Sequence, residues 1–293
     1  MVLPGGSTVS PRTPAENAQL ALLLEVASTP KPGNVDRRRD LPGLRFEHFL
    51  AGAVGAHDGL IAGAGGTPVG EAFEQAVAGM SNQSGGNTQF GALLLLVPLV
   101  KAASASDHPG ETIAASAAEI VDATTVADAA AFYRAFEHVD VAVGDLPESI
   151  TAPDVRRGAN AVSDLEDRGL TLSDVLAESA TVDGVARECV EGFPRSIAVA
   201  DAIQNGAGPV SDRAARAFLA QLAREPDTHV AKRHGEKTAH NVMVRTQEAR
   251  ESDDPGLVEA FAESLVEAGI NPGTTADLVA AGLFIALERG VEV

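Results

Sequence analysis

The chain holds one cysteine in 293 residues, no tryptophan and a single tyrosine. A lone Cys189 rules out an internal disulfide framework and suits a reducing compartment. In an apolar helical stretch it reads as a small buried hydrophobe rather than a nucleophile. Aromatic residues make up only 4% and alternating β-branched runs are almost missing, so the sequence offers little from which to build strands. The longest apolar run, residues 90–100, is too short to cross a bilayer and contains Pro98. Residues 1–10 carry neither the basic residues nor the apolar run of a targeting segment, which points to a soluble, cytoplasmic protein. Lysine is scarce too: Lys31, Lys101, Lys232 and Lys237 are the only four, in a chain with 41 acidic residues and a net charge of −19. That balance argues against general nucleic-acid binding. It fits a halophilic interior, where screening within a few ångströms removes the self-repulsion of an acidic surface.

What remains is helical. Hydrophobic residues are 45% of the chain, enough for a sizeable core without metals or disulfides. Thr13 followed by Pro14 reads as an N-cap and first turn, opening a helix to about residue 28 that Pro30 and Pro32 end. Apolar spacing predicts further helices over 46–62, 68–80, 88–103, 111–122, 126–137, 153–166, 182–204, 211–224, 230–248, 256–268 and 274–289. No repeat or long linker divides them, so the expectation is an all-α, single compact multi-helix domain over 1–293, with residues 1–12 a flexible N-terminus. Ala- and Gly-rich helix faces call for close packing, and would also suit a homo-oligomer.

Four polar turns interrupt the helices. In the first, residues 28–37, Lys31 is a point charge suited to phosphate, Arg37 a forked donor, and Asp36 a ligand for Mg²⁺ or a hydroxyl. The bland alternative is a rigid connection with solvated charges. In the second, Gly85 and Gly86 precede Asn87 and Thr88 at a helix start, where backbone N–H groups can approach an anion or Asn87 can simply cap. The third holds Asp227, Thr228 and His229, then Lys232, Arg233 and His234; Asp227 is a cap or a metal ligand, and Lys232 and Arg233 can face phosphates. Glu236 and His240 lie four apart but read as a surface pair, and His229 and His234, five apart, make no zinc site. The fourth runs from Asn271 through Pro272 and Gly273 to Asp277, which is either dipole-stabilised in a first helical turn or a contact to Mg²⁺ or ligand.

Taken in order, these blocks resemble one family. Glu25 with Thr-Pro-Lys-Pro-Gly (29–33) and Val-Asp-Arg (35–37), Gly-x-Asn-Thr-x-x-Gly (85–91), Glu188 with Gly192-Phe193-Pro194, Asp227-Thr228 with Arg233, and Asn-Pro-Gly-x-x-Ala-Asp-Leu (271–278) are similar to the triphosphoribosyl-dephospho-CoA synthases over residues 21–287. The resemblance implies an all-helical transferase that joins ATP, through ribose C1′, to the 2′-hydroxyl of 3′-dephospho-CoA and releases adenine. It implies Lys31, Gly33, Arg37, Asn87, Thr88, Arg233 and Asn271 as substrate-binding residues, and Mg²⁺ held by Asp227 and Asp277. The acceptor hydroxyl needs a base, for which Glu25, Asp36 and Glu188 are equal candidates. Two blocks depart from the pattern. Arg38-Arg39-Asp40-Leu41 stands where relatives carry His-x-Asp-Met, and Gln89-Phe90 stands where they carry His-Lys. These departures leave room for a paralogue with another phosphoribosyl acceptor, an Mg²⁺-dependent nucleotide hydrolase, or a nucleotide-binding protein without turnover.

Overall fold

The computed structural model describes residues 12–106, 109–144, 147, 150–252 and 254–293. Of the expected flexible N-terminus, residues 1–12, all but Arg12 lie outside this description. Along the chain run α1 (Pro14–Ala27), α2 (Phe46–Gly55), α3 (His57–Ala64), α4 (Val69–Met80), α5 (Phe90–Ala105), α6 (Pro109–Asp122) and α7 (Val126–Ala135). A 3-10 segment, Val155–Ala161, leads into α8 (Val162–Arg168) and α9 (Leu172–Ser179). There follow α10 (Gly184–Glu191), α11 (Pro194–Asn205), α12 (Val210–Leu222), α13 (Thr228–His234), α14 (Glu236–Glu251), α15 (Pro255–Glu267) and α16 (Gly273–Glu288). No strand occurs among the described residues, only the isolated bridges Asp36–Arg39 and Leu41–Leu44. The fold is all-α.

The organising pair is α5 and α16. Both are apolar on nearly every side, as a helix enclosed by other helices must be. Leu93, Leu95, Leu96, Val97 and Leu99 of α5 are fully buried, as are Val279, Ala281, Leu283, Phe284 and Ala286 of α16. Around α16 pack α1, α5, α11 and α12. The small residues do what their abundance suggests: a Cβ on Gly282 would lie 2.3 Å from Val199 Cγ1, so α11 and α16 approach as closely as their side chains permit. Pro98 sits inside α5 without ending it. An interior proline costs about 3 kcal/mol, and each fully buried leucine of the helix returns roughly 1.5–3.

Several long helices expected from periodicity are broken, each at a residue the pattern underweights. The 182–204 run becomes α10 and α11, because Gly192 (φ 83°) and Phe193 (φ 62°) turn left-handed before Pro194, which has no N–H to continue the ladder. The 230–248 run splits at Gly235 (φ 85°), and 46–62 splits at Ala56. In 153–166 the first half is 3-10, with Gly158 out of helical geometry. α9 has too short an apolar stripe to stand out in the sequence.

Candidate active site

The first polar turn is folded inward. Lys31 is fully buried and Glu25 almost so. The ammonium pairs with the Glu25 carboxylate from α1 and donates to Asn34 Oδ1 at 2.9 Å. Asn34 in turn donates to Asn271 Oδ1 at 2.8 Å, tying the first turn to the fourth. Gly33, with φ 74°, lies where a Cβ would meet Ile270 O at 2.2 Å, so glycine is required by that contact. Asp36 is fully buried and entirely occupied. Its Oδ2 accepts from Thr29 Oγ1 (2.9 Å), the Lys31 backbone N–H (3.1 Å) and Arg39 (3.1 Å), and its Oδ1 accepts from the Arg38 N–H (2.8 Å). Arg37 is exposed and lines neither cavity described below.

Glu188 likewise belongs to the frame. It is fully buried; Oε2 accepts from Arg195 at 2.7 Å and Oε1 from the Ser196 N–H at 2.7 Å. The carboxylate therefore caps the first turn of α11 just after the Gly192-Phe193 corner. The adjacent Cys189 is buried, and burial beside Glu188 pushes its thiol pKa up, so it is an inert packing residue. Asp227 caps α13, accepting from the N–H groups of His229 (2.9 Å) and Val230 (3.1 Å). Its other oxygen takes Thr275 N–H (2.7 Å) and Oγ1 (2.8 Å) at the head of α16. Thr228 Oγ1 meets Thr274 Oγ1 at 2.9 Å, so the third and fourth turns are stitched together.

This frame encloses two adjoining cavities. The smaller, about 70 Å³, is walled by Glu25, Asn34, Thr88, Gln89 and Asn271 among others. The larger, about 380 Å³, has an aromatic side formed by Phe90, Phe132, Tyr133 and Phe136 and a polar end with Asp183, Lys232 and Glu236. Asn87, Phe90, Gly91, His229 and Asp277 line both, forming the shared wall. α5 begins at Phe90, whose N–H donates to Asn87 Oδ1 at 3.1 Å. Phe90 packs edge-on to Phe73 (5.0 Å between ring centres) and Phe136 (4.8 Å), anchoring α5 to α4 and α7. Gly91 admits the Asp277 carboxylate: a Cβ there would lie 2.1 Å from Oδ2.

The shared wall is electrostatically unusual. Burial, then the neighbouring carboxylates of Glu25, Asp227 and Asp183, raise the Asp277 pKa well above the ordinary carboxylate value, against a lowering by the Ala92 N–H at the start of α5. His229 moves the other way. Burial disfavours its cation, and Arg233 and Lys232 add to that, outweighing Asp227 and Asp183. Burial also raises Glu25, although Lys31 pulls it back. Asp183 is desolvated too, yet its ion pair with Lys232 and the N–H groups at the start of α10 keep its pKa low.

Of the residues singled out in the sequence, the structure gathers Glu25, Asn87, Thr88, Asn271 and Asp277 around the small cavity. Gly33 and Lys31 stand behind them, and Asp36, Glu188 and Asp227 lie in the supporting frame. Arg233 is exposed in the last turn of α13 and lines neither cavity. Among the described residues no three His, Cys, Asp or Glu side chains are grouped to hold a metal ion, and of the expected pair Asp227 accepts four hydrogen bonds while Asp277 lines both cavities. Sequence reasoning passed over three cavity residues. His229 was weighed only as half of a zinc pair, Asp183 sat inside an apparently continuous helix, and Gln89 looked like a lost histidine rather than a new group.

The family model described as CitG: ATP:dephospho-CoA triphosphoribosyl transferase matches residues 11–292. No curated protein matches. Among solved structures, a protein from Archaeoglobus fulgidus provisionally described as a triphosphoribosyl-dephospho-CoA synthase superposes with a TM-score of 0.71 at 26% identity. The match covers 85% of this chain and 100% of that one.

Proposed function

The chain belongs to the ATP:dephospho-CoA triphosphoribosyl transferase family, and from that premise we propose how its two cavities divide the reaction. The activity is transfer of the triphosphoribosyl group of ATP to the 2′-hydroxyl of 3′-dephospho-CoA with release of adenine. The small cavity receives the ribosyl unit: its wall carries carboxylates and amides but, among the described residues, no lysine or arginine, so it suits a neutral polyol and repels phosphate. The larger cavity supplies aromatic faces for a purine and Lys232 for phosphate, and the acceptor meets C1′ at the shared wall.

The observation that carries this reading is the placing of a carboxyl and an imidazole, Asp277 and His229, on the wall shared by the two cavities, where burial raises the pKa of the first and lowers that of the second. As the C1′–N9 bond breaks and the C1′–O bond forms, His229 takes the proton of the acceptor hydroxyl. Asp277 gives its proton to the departing adenine, so one proton has passed from hydroxyl to base once the two residues re-equilibrate. Positive charge developing on the sugar faces the Glu25 carboxylate, which Lys31 keeps fixed. Mg²⁺ would come with the triphosphate as its counter-ion, with Asp277 on the shared wall as a carboxylate within the same site.

The test incubates the protein in molar KCl with ATP, Mg²⁺ and 3′-dephospho-CoA and follows adenine and the coupled product by mass spectrometry. Both products appearing together, and falling together in Asp277→Asn and His229→Gln, support the assignment. Folded protein that binds ATP yet leaves it intact would refute it.

A further inference from the structure

Beside the shared wall, two residues that line the small cavity carry buried polar atoms with no hydrogen-bond partner among the described residues. Gln89 is 3% exposed, and neither its amide nitrogen nor its amide oxygen has a hydrogen-bond partner among the described residues. The Oγ1 of its neighbour Thr88 is buried and unpartnered as well. Both residues line the small cavity, immediately before the start of α5. The two oxygens lie beside α2 in the room that Gly52 leaves: a Cβ there would lie 2.5 Å from Thr88 Oγ1 and 3.1 Å from Gln89 Oε1. Leaving buried polar groups unpaired is costly, and three in one place call for a ligand that pairs with them.

The inventory of donors and acceptors says which. A carboxamide offers N–H donors and a carbonyl acceptor, and a hydroxyl offers one donor and two acceptor sites. Phosphate brings only acceptors and would also confront Glu25; an ammonium brings only donors and would leave the amide N–H groups unmet. Vicinal hydroxyls bring both on adjacent atoms. A purine edge has the same mixture, but the roomier aromatic surface lies in the larger cavity, with Phe90, Phe132, Tyr133 and Phe136 around about 380 Å³, against Phe49 and Phe90 around about 70 Å³ here. We propose that Gln89 and Thr88 read the 2′,3′-diol of the ATP ribose and are the residues by which the enzyme distinguishes ribonucleotide from deoxyribonucleotide. The assignment rests on the placement of the ribosyl unit in the small cavity given above.

Direct binding separates the two. Calorimetry of the full chain in molar KCl, without acceptor, compares ATP with 2′-deoxy-ATP and 3′-deoxy-ATP. Wild type binds ATP roughly 10–100-fold more tightly than at least one analogue, because the missing hydroxyl strands a buried group. Gln89→Leu and, independently, Thr88→Val bring that ratio to within about threefold while leaving thermal stability unchanged or higher, since each removes an unpaired buried polar group. Wild-type protein that binds all three nucleotides alike, or variants that keep the wild-type ratio, overturn the proposal. Product formation with unaltered discrimination in Gln89→Leu defeats the diol assignment alone. Absence of both ATP binding and adenine release from folded wild type defeats the transferase reading with it.

Discussion

Lys31→Met is the substitution that best tells the structure apart from the sequence. Read from the turn alone, Lys31 is a phosphate ligand, and its loss should weaken ATP binding while the fold survives. The structure makes it a fully buried partner of Glu25 and Asn34. Removing it strands a buried carboxylate and an amide oxygen, at a cost of about 3–5 kcal/mol, dominated by the charge. For a chain of this size that corresponds to a fall in Tm of roughly 6–20 °C. The deficit depends on pH. Without Lys31 the Glu25 pKa rises further above its unfolded value, so the lost stability is largest at neutral pH and shrinks as pH falls toward the ordinary carboxylate value. Glu25→Leu combined with Lys31→Met removes the charge along with its partner. The double variant should stand within about 1–3 kcal/mol of wild type, the remainder being Asn34 without its donor. Urea unfolding in molar KCl at pH 7 and pH 4.5 measures all three proteins. A single variant that loses less than about 1 kcal/mol, or a double variant no more stable than the single, would mean that the pair is not what holds the turn.

Other expectations follow from the same wall. The pH profile of kcat/KM should rise through an acid limb below the ordinary histidine range, as His229 loses its proton, and fall through an alkaline limb set by Asp277 above the ordinary carboxylate range. His229→Gln abolishes the first limb and Asp277→Asn the second, each with a loss of about 10²–10⁴ in rate. Asp277→Asn should also be more stable than wild type at neutral pH: a raised folded pKa gives stability below the unfolded pKa and loses it as pH climbs through the folded one, a penalty asparagine escapes. Gly91→Ala forces a methyl onto Asp277 and should cost about 1–3 kcal/mol in stability, with activity falling further than stability alone explains when both are measured under the same conditions. Raising KCl from 0.15 to 1 M shortens the screening length from about 8 to about 3 Å, so the Tm of this −19 chain should climb across that range.

The helical class and the order of the polar turns were legible because both are local. Apolar spacing, proline after threonine and glycine before a cap act within a few residues. The roles inside the turns were not, because they depend on who arrives from elsewhere. Asp36 and Glu188 look like free carboxylates until Thr29 and Arg39, or Arg195 and Ser196, are seen to consume them. Lys31 looks mobile until α1 delivers Glu25. Conversely, His229 looks incidental until α5 and α16 set Gly91 and Asp277 beside it on the same wall. The helix breaks at Gly192 and Gly235 were visible as glycines, but the apolar periodicity continued through them.

The hydrogen bond between Asn34 and Asn271 spans 237 positions of chain. The small cavity runs from Leu22 on α1 to Ala280 on α16, so neither half of the polypeptide contains any version of it. During synthesis the Asn34 amide waits for Asn271, and the cavity for its last wall, until α16 has left the ribosome and docked against α1, α5 and α11. Such distant closure slows folding. It also makes nucleotide binding a report of chain completion: a truncated or mistranslated product lacking its last helix has no pocket in which to hold ATP, and none of the stabilisation a ligand confers on a finished fold.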